Sequence, residues 1–109
     1  MKYEIETTSN FDRWLGKIRD KRVLHRFDAR FNRLRKGNFG DAKQLAVDLF
    51  ELRFFFGSGY RVYYTIRDRK IVLLLCGGDK SSQSKDIEKA NSLLNEIKDD
   101  EDDGQNKEL

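Results

Sequence analysis

A chain of 109 residues with equal shares of hydrophobic and charged side chains, 38% each, can build one small core under a heavily charged surface, and not two. It has no proline and a single cysteine, Cys76, which excludes an internal disulfide; its longest apolar run, Ile71 to Cys76, is too short to span a bilayer. The net charge of +3 hides a division, because residues 95–109 hold two lysines against seven acids and leave +8 on residues 1–94, a balance that attracts polyanions.

The first ten residues, MKYEIETTSN, lack the apolar segment and cleavage site of a secretory signal, so a cytoplasmic protein is expected. Within them, Tyr3 and Ile5 alternate with Lys2, Glu4 and Glu6, a short strand that should join the main sheet. Ser9 followed by Asp12 resembles a capping box, and Phe11, Trp14, Leu15 and Ile18 then fall at helical spacing. After a break near Asp20 to Arg22, the stripe Val23, Leu24, Phe27, Phe31 and Leu34 predicts a second helix that ends at Lys36-Gly37. The two helices should pair and lie on the sheet with their aromatic residues in the core. The outer face of the second carries Arg22, Arg26, Arg30, Arg33, Arg35 and Lys36 with Asp28 as its one acid. That is either a solvated helix face or a surface for a nucleic-acid backbone. His25 is the only histidine, and without a second His or a Cys cluster neither a zinc site nor a His-based dyad can be built, so no metal or cofactor is expected.

Asn38 to Asp48 reads as an irregular connection with Lys43 its sole cation. Then come three short strands. Phe50, Leu52, Phe54 and Phe56 alternate with Glu51, Arg53 and Phe55; Gly57-Ser58-Gly59 turns the chain; Tyr60, Val62, Tyr64 and Ile66 alternate with Arg61, Tyr63, Thr65 and Arg67. A turn at Asp68-Arg69 leads into Ile71 to Cys76, apolar at every position and therefore covered on both faces. A hairpin closed over Gly57 to Gly59 puts Arg53 and Arg61 on one face, opposite or diagonal, beside Glu51, Phe55 and Tyr63. The other side, Tyr60, Val62 and Tyr64, should join Leu52, Phe54, Ile71, Leu73 and Leu75 as the main core. Two adjacent arginines repel unless a carboxylate or an anion sits between them. Glu51 could be that carboxylate in a surface ion network of little energetic weight, or the pair could be an anion site suited to phosphate.

Gly77-Gly78-Asp79-Lys80-Ser81-Ser82 reads as a loop into a last helix with the seam Ile87, Ala90, Leu94 and Ile97, capped by Ser81 or Ser82, with Gln83, Lys85 and Asp86 in its first turn. Glycines and Lys80 before a helix N-terminus are a further anion site. Beyond Lys98 the acidic stretch should be disordered, which gives a domain over 1–98 and a tail over 99–109.

The fold class expected is α+β in the order β-α-α-β-β-β-α, a small antiparallel or mixed sheet with a helix pair on one face and a C-terminal helix. This order, with ELR (Glu51 to Arg53), GSGYRVYY (Gly57 to Tyr64), LLLCGGDKSSQSKDI (Leu73 to Ile87), GNFGDAK (Gly37 to Lys43) and Ala90, resembles the RelE/ParE superfamily of bacterial toxins, in particular the short HigB-like killer proteins of addiction modules. The resemblance implies an endonuclease that cleaves messenger RNA on the ribosome and is silenced by a cognate antitoxin of helix-turn-helix type. It makes Arg61 the counterpart of a phosphate-binding catalytic arginine, places Lys80 at a basic position after the last strand, and adds Arg53 as the next catalytic candidate. Lys43, Arg30, Arg33, Lys85, Gln83 and Asp86 are the candidates for holding the substrate. Where some members carry a tyrosine near the first turn of the last helix, this chain has Lys85 and Asp86. Two other readings share the fold: a ParE-like inhibitor that binds DNA gyrase without catalysis, and a nucleic-acid-binding relative that cleaves nothing.

Overall fold

A computed structural model describes residues 2–107, with backbone alone over 101–107. In chain order the elements are β1 (Glu4–Thr7), α1 (Ser9–Gly16), α2 (Lys21–Arg35), β2 (Ala42–Ala46), β3 (Leu49–Arg53), β4 (Arg61–Arg67), β5 (Ile71–Gly78), a 3-10 turn over Lys80–Ser82 and α3 (Gln83–Lys107). The five strands form one mixed sheet in the order β1-β5-β4-β3-β2, with β1 parallel to β5 and the other pairs antiparallel. The expected α+β class and its helix placement hold, with one strand more than the sequence suggests.

That strand is β2. Its residues, Ala42 to Ala46, have little strand propensity, and the segment reads as a loop; pairing with β3, not side-chain preference, makes it extended. The last helix also continues past the predicted boundary at Lys98, its backbone helical through Lys107. Extending a helix that is already nucleated costs far less than starting one, so the acidic composition alone does not end it. Residues 108 and 109 of the predicted tail lie outside the described residues.

The sheet is covered on both faces. Phe11 of α1 and Phe27, Phe31 and Leu34 of α2 pack on Leu52, Phe54, Val62, Tyr64, Val72 and Leu74. On the other face Ala90, Leu93 and Leu94 of α3 pack on Leu49, Tyr63, Leu73, Leu75 and Cys76. Leu73 and Leu75 thus belong under α3, not with Val62 and Tyr64 as strict alternation of the two hairpins suggests. The register shows why. The β4–β5 turn pairs Arg67 with Ile71 and Tyr64 with Leu74, so Val72 and Leu74, not Leu73 and Leu75, share the side of Val62 and Tyr64. Tyr63 then pairs with Cys76, so Leu75 is a bulge that changes the phase of the residues after it, Cys76 to Gly78. The Thr8 hydroxyl donates to the Leu75 carbonyl at 2.6 Å. Thr8, not Ser9, caps α1, accepting from the Phe11 amide at 3.1 Å. Asp20, within the break expected there, caps α2, and Gly37 follows the helix end at φ 91°, where the sequence places its stop.

The bulge also fixes the two glycines. Gly77 and Gly78 are not a loop but the buried end of β5, paired with Val62 and Arg61. A Cβ at Gly77 would lie 2.4 Å from the Trp14 ring on one face, and a Cβ at Gly78 would lie 1.8 Å from Asp86 Oδ2 on the other. Glycine stands here because both faces of the strand are already occupied.

Candidate functional site

The candidate site is built on the α3 face of the sheet, where β4 meets β3. Arg53 and Arg61 are directly opposite each other, and Glu51 is opposite Tyr63. Lys43 extends the second row on β2, facing Glu51. Each arginine is held from behind by an acid. Arg53 Nη2 donates to Asp41 Oδ1 at 3.1 Å, and Arg61 Nε lies 3.7 Å from Glu51 Oε2. Their side chains remain 36% and 15% exposed, while that of Glu51 is 1% exposed. The carboxylate expected between the arginines is therefore two separate ones, and the partner of Arg53 is Asp41. Asp41 shares the face of Lys43 by simple alternation, and that spacing is the signal that could have revealed it.

Glu51 is the hub beneath the surface. Its Oε2 accepts from the Tyr63 hydroxyl at 3.1 Å and from Gln83 Nε2 at 2.9 Å, so strand, strand and the first turn of α3 meet on one oxygen. Burial, with Glu51 beside it, raises the Tyr63 phenol well above its ordinary pKa. It stays protonated and donates. Arg61 Nη1 donates to the Gly59 carbonyl at 2.9 Å, and the Nε atoms of Arg53 and Arg61 are both buried without a hydrogen-bond acceptor. Two guanidiniums fixed at their inner edge can present only their outer nitrogens, the arrangement that suits a phosphate.

Lys80 joins them. The side-chain position of Gly59 lies 3.5 Å from Lys80 Cβ and 3.6 Å from Arg61 Nη1, so Lys80 and Arg61 flank the same turn and border one rim. Asp79, not Ser81 or Ser82, opens the helical segment. It accepts from the Ser81 amide at 2.9 Å, and the Ser81 hydroxyl and amide hold its carboxyl below the usual carboxylate range. Asp86 Oδ2 accepts from the Ser82 hydroxyl at 2.5 Å and lies over Gly78, which pairs with Arg61. A groove of about 320 Å³ runs along Lys80, Gln83 and Lys85.

Seven of the nine predicted residues thus fall together: Arg53, Arg61, Lys80, Lys43, Gln83, Lys85 and Asp86. Arg30 and Arg33 do not. They belong to α2 on the opposite face of the sheet, and Arg30 is only 9% exposed. Its guanidinium donates to the carbonyls of Phe39 (3.1 and 3.2 Å), Asp41 (2.9 Å) and Arg53 (2.8 Å). Burial lowers its pKa. Arg30 is a strut that ties the chain before β2 to the end of β3, and all three of its guanidinium nitrogens donate to backbone carbonyls. Among the described residues no cluster of His, Cys, Asp and Glu could hold a metal ion, and no helix is long and apolar enough to cross a membrane.

No protein-family model matches the chain. Among solved structures it is similar to a double arginine-to-alanine variant of the Escherichia coli toxin RelE in the free state, with a TM-score of 0.61 and 17% identity over 76% of this chain and 90% of that one. The same variant bound to an antitoxin RelB peptide superposes with a TM-score of 0.60 at 13% identity, covering 78% of this chain and 94% of that one. The RelBE2 toxin–antitoxin complex of Mycobacterium tuberculosis gives 0.58 at 23% identity, over 73% of this chain and 100% of that one. The sheet order, the helix pair and the covering last helix are those of a RelE fold. Within it, the chain belongs to one family with an uncharacterized protein of Haemophilus influenzae, 47% identical over 97 residues, which are 89% of this chain and 98% of that relative.

Proposed function

We propose that this chain is the toxin of a type II toxin–antitoxin module, of the HigB-like branch, and that it cleaves messenger RNA on the ribosome. The observation that carries the reading is the Arg53–Arg61 cross-strand pair, braced from behind by Asp41 and Glu51 and rimmed by Lys80. Self-cleavage of RNA needs the 2′-hydroxyl to lose its proton and attack the neighbouring phosphorus. The pentacoordinate phosphorane must be stabilised, and the departing 5′-oxygen must gain a proton, leaving a cyclic 2′,3′-phosphate. Arg61 and Arg53 bind the non-bridging oxygens and stabilise their charge without giving up protons. Lys80 is the group at the rim that exchanges protons with the reacting oxygens. Asp86 positions Ser82 and caps the face of Gly78, and Gln83 keeps Glu51 turned toward Arg61. An antitoxin that covers this basic face would silence all of these groups at once, in line with the antitoxin-bound RelE neighbours.

The test is induction in cells with primer-extension mapping of abundant messages. Cuts inside translated regions that disappear when translation is blocked are expected, and they should be lost in Lys80→Ala and Arg61→Ala. Growth arrest with intact messages and halted DNA synthesis would replace the nuclease by gyrase inhibition. RNA binding without any cut, ribosomes present, would leave a binding module alone.

A further inference from the structure

The face of the sheet opposite the arginine pair carries a second cationic surface that the proposed reaction does not use. A groove of about 350 Å³ runs between α2 and the segment after β3, lined by Arg26, Arg33, Phe54, Phe55 and Phe56, with Arg30 at its floor. Phe55 is 83% exposed, one of the two large apolar side chains left in solvent among the described residues. It is fixed at its base, since Phe54 beside it is buried against Phe27 and Phe31, and Phe56 packs on Phe27 and Tyr60. The Arg26 guanidinium lies over the Phe56 ring at 4.9 Å, and Arg30 lies over Phe54 at 4.8 Å, so the cations and rings alternate along one wall. The only acid on the helix here is Asp28.

We propose that this groove binds an unpaired RNA segment distinct from the strand held at Arg53 and Arg61, with a base stacked on Phe55 and the flanking phosphates on Arg26 and Arg33. Exposed rings offer a π-face to any base, and arginines at the edges neutralise the backbone, the two halves of a single-strand platform. A protein partner with an apolar plug would use Phe55 but would leave Arg26 and Arg33 without compensation, and an acid-poor wall favours a polyanion. Because a strand seated at the arginine pair lies on the other face of the sheet, the occupant is a second RNA. On the ribosome-directed reading above, on which this partly rests, it is a single-stranded stretch of ribosomal RNA.

The probe is a labelled eight-residue oligouridine added to the full chain, read by native mass spectrometry for stoichiometry and by anisotropy across a salt series. The wild type should take up two oligonucleotides, and a chain with Arg26→Gln, Arg33→Gln and Phe55→Ala together should take up one. Singly, Phe55→Ala should weaken the platform roughly five- to hundredfold with its salt dependence unchanged. Each arginine change should lower the slope of log affinity against log salt by about 0.7. All three residues are at the surface, so the fold should survive, and circular dichroism checks it. Unchanged stoichiometry and affinity in the triple variant would overturn the platform. A triple variant that loses one oligonucleotide, in a protein that leaves messages whole when induced, would keep the platform and sink the nuclease. Loss of message cleavage in Arg61→Ala with no effect of the triple variant would do the reverse.

Discussion

Arg30 separates a structural arginine from the functional ones around it, and its replacement gives the sharpest test of the fold. In Arg30→Ala, four donated hydrogen bonds to three backbone carbonyls disappear at once. Hydrogen bonds from a charged donor are each worth about 1.5–3 kcal/mol, and a buried acceptor left alone costs about 1–3 kcal/mol. Against this stands the relief of a buried cation, which alanine no longer has to desolvate. The 36–41 segment can also open enough to let water reach the carbonyls of Phe39 and Asp41. These offsets leave a net loss of about 3 kcal/mol, a large share of a stability of about 5–15 kcal/mol. With a urea slope of about 1.5 kcal/mol/M for a chain of this size, the midpoint should fall by about 2 M. Arg30→Lys should recover little, because an ammonium cannot reach three carbonyls spread along a guanidinium's edges. A midpoint shift of under 0.5 M in Arg30→Ala would refute the strut, and would return Arg30 to the solvent-facing row suggested by its neighbours Arg26 and Arg33.

The glycines of β5 give a second expectation: Gly78→Ala must push Asp86 out of its place over the strand, costing about 2 kcal/mol or more and, on the proposed function, activity as well. Thermal melts and message mapping measure the two effects separately. In the opposite direction, Asp68 and Arg69 form the β4–β5 turn with φ of 52° and 61°, and Arg69→Gly should stabilise the protein by about 1 kcal/mol in a urea titration. Cys76 has its thiol pushed up to about 12, by burial first and then by the neighbouring Asp86. The unfolded chain gives up this proton at lower pH than the folded one, so stability should fall as pH rises above about 9 toward 12. Cys76→Ala should flatten that part of the stability profile, and a thiol reagent at pH 8 should leave the native protein unmodified. Rapid labelling without unfolding would contradict the burial.

Much of this molecule is written in periodicities that survive folding. The alternation of Arg53 and Arg61 about Gly57 to Gly59 placed the two guanidiniums on one face, and the unbroken apolar run of β5 announced a strand covered twice. What alternation cannot carry is a phase change. The bulge at Leu75 leaves no residue signature, yet it sends Leu75 and Cys76 together under α3, turns Gly77 to Trp14 and Gly78 to Asp86, and so determines what stands next to Arg61. Strand β2 was hidden for a related reason, since its conformation comes from pairing with β3 and not from its own side chains. The split among the arginines of α2 was hidden as well. Arg26, Arg30 and Arg33 look alike on a helical wheel, and only the path of residues 39–41 decides which guanidinium is enclosed.

The parallel pairing of β1 with β5 has a consequence for the order in which the chain can complete itself. Residues Glu4 to Thr7 are synthesised well before their hydrogen-bonding partners, Ile71 to Leu74, which lie far downstream in the chain. Thr8 waits longer for the Leu75 carbonyl that anchors the start of α1. Until then the helix pair has no finished floor and the β4 arginines are bordered by β3 alone. A nascent chain therefore stays without its assembled basic face until β5 has followed β1, and the surface appears in a closing step tied to that long-range contact.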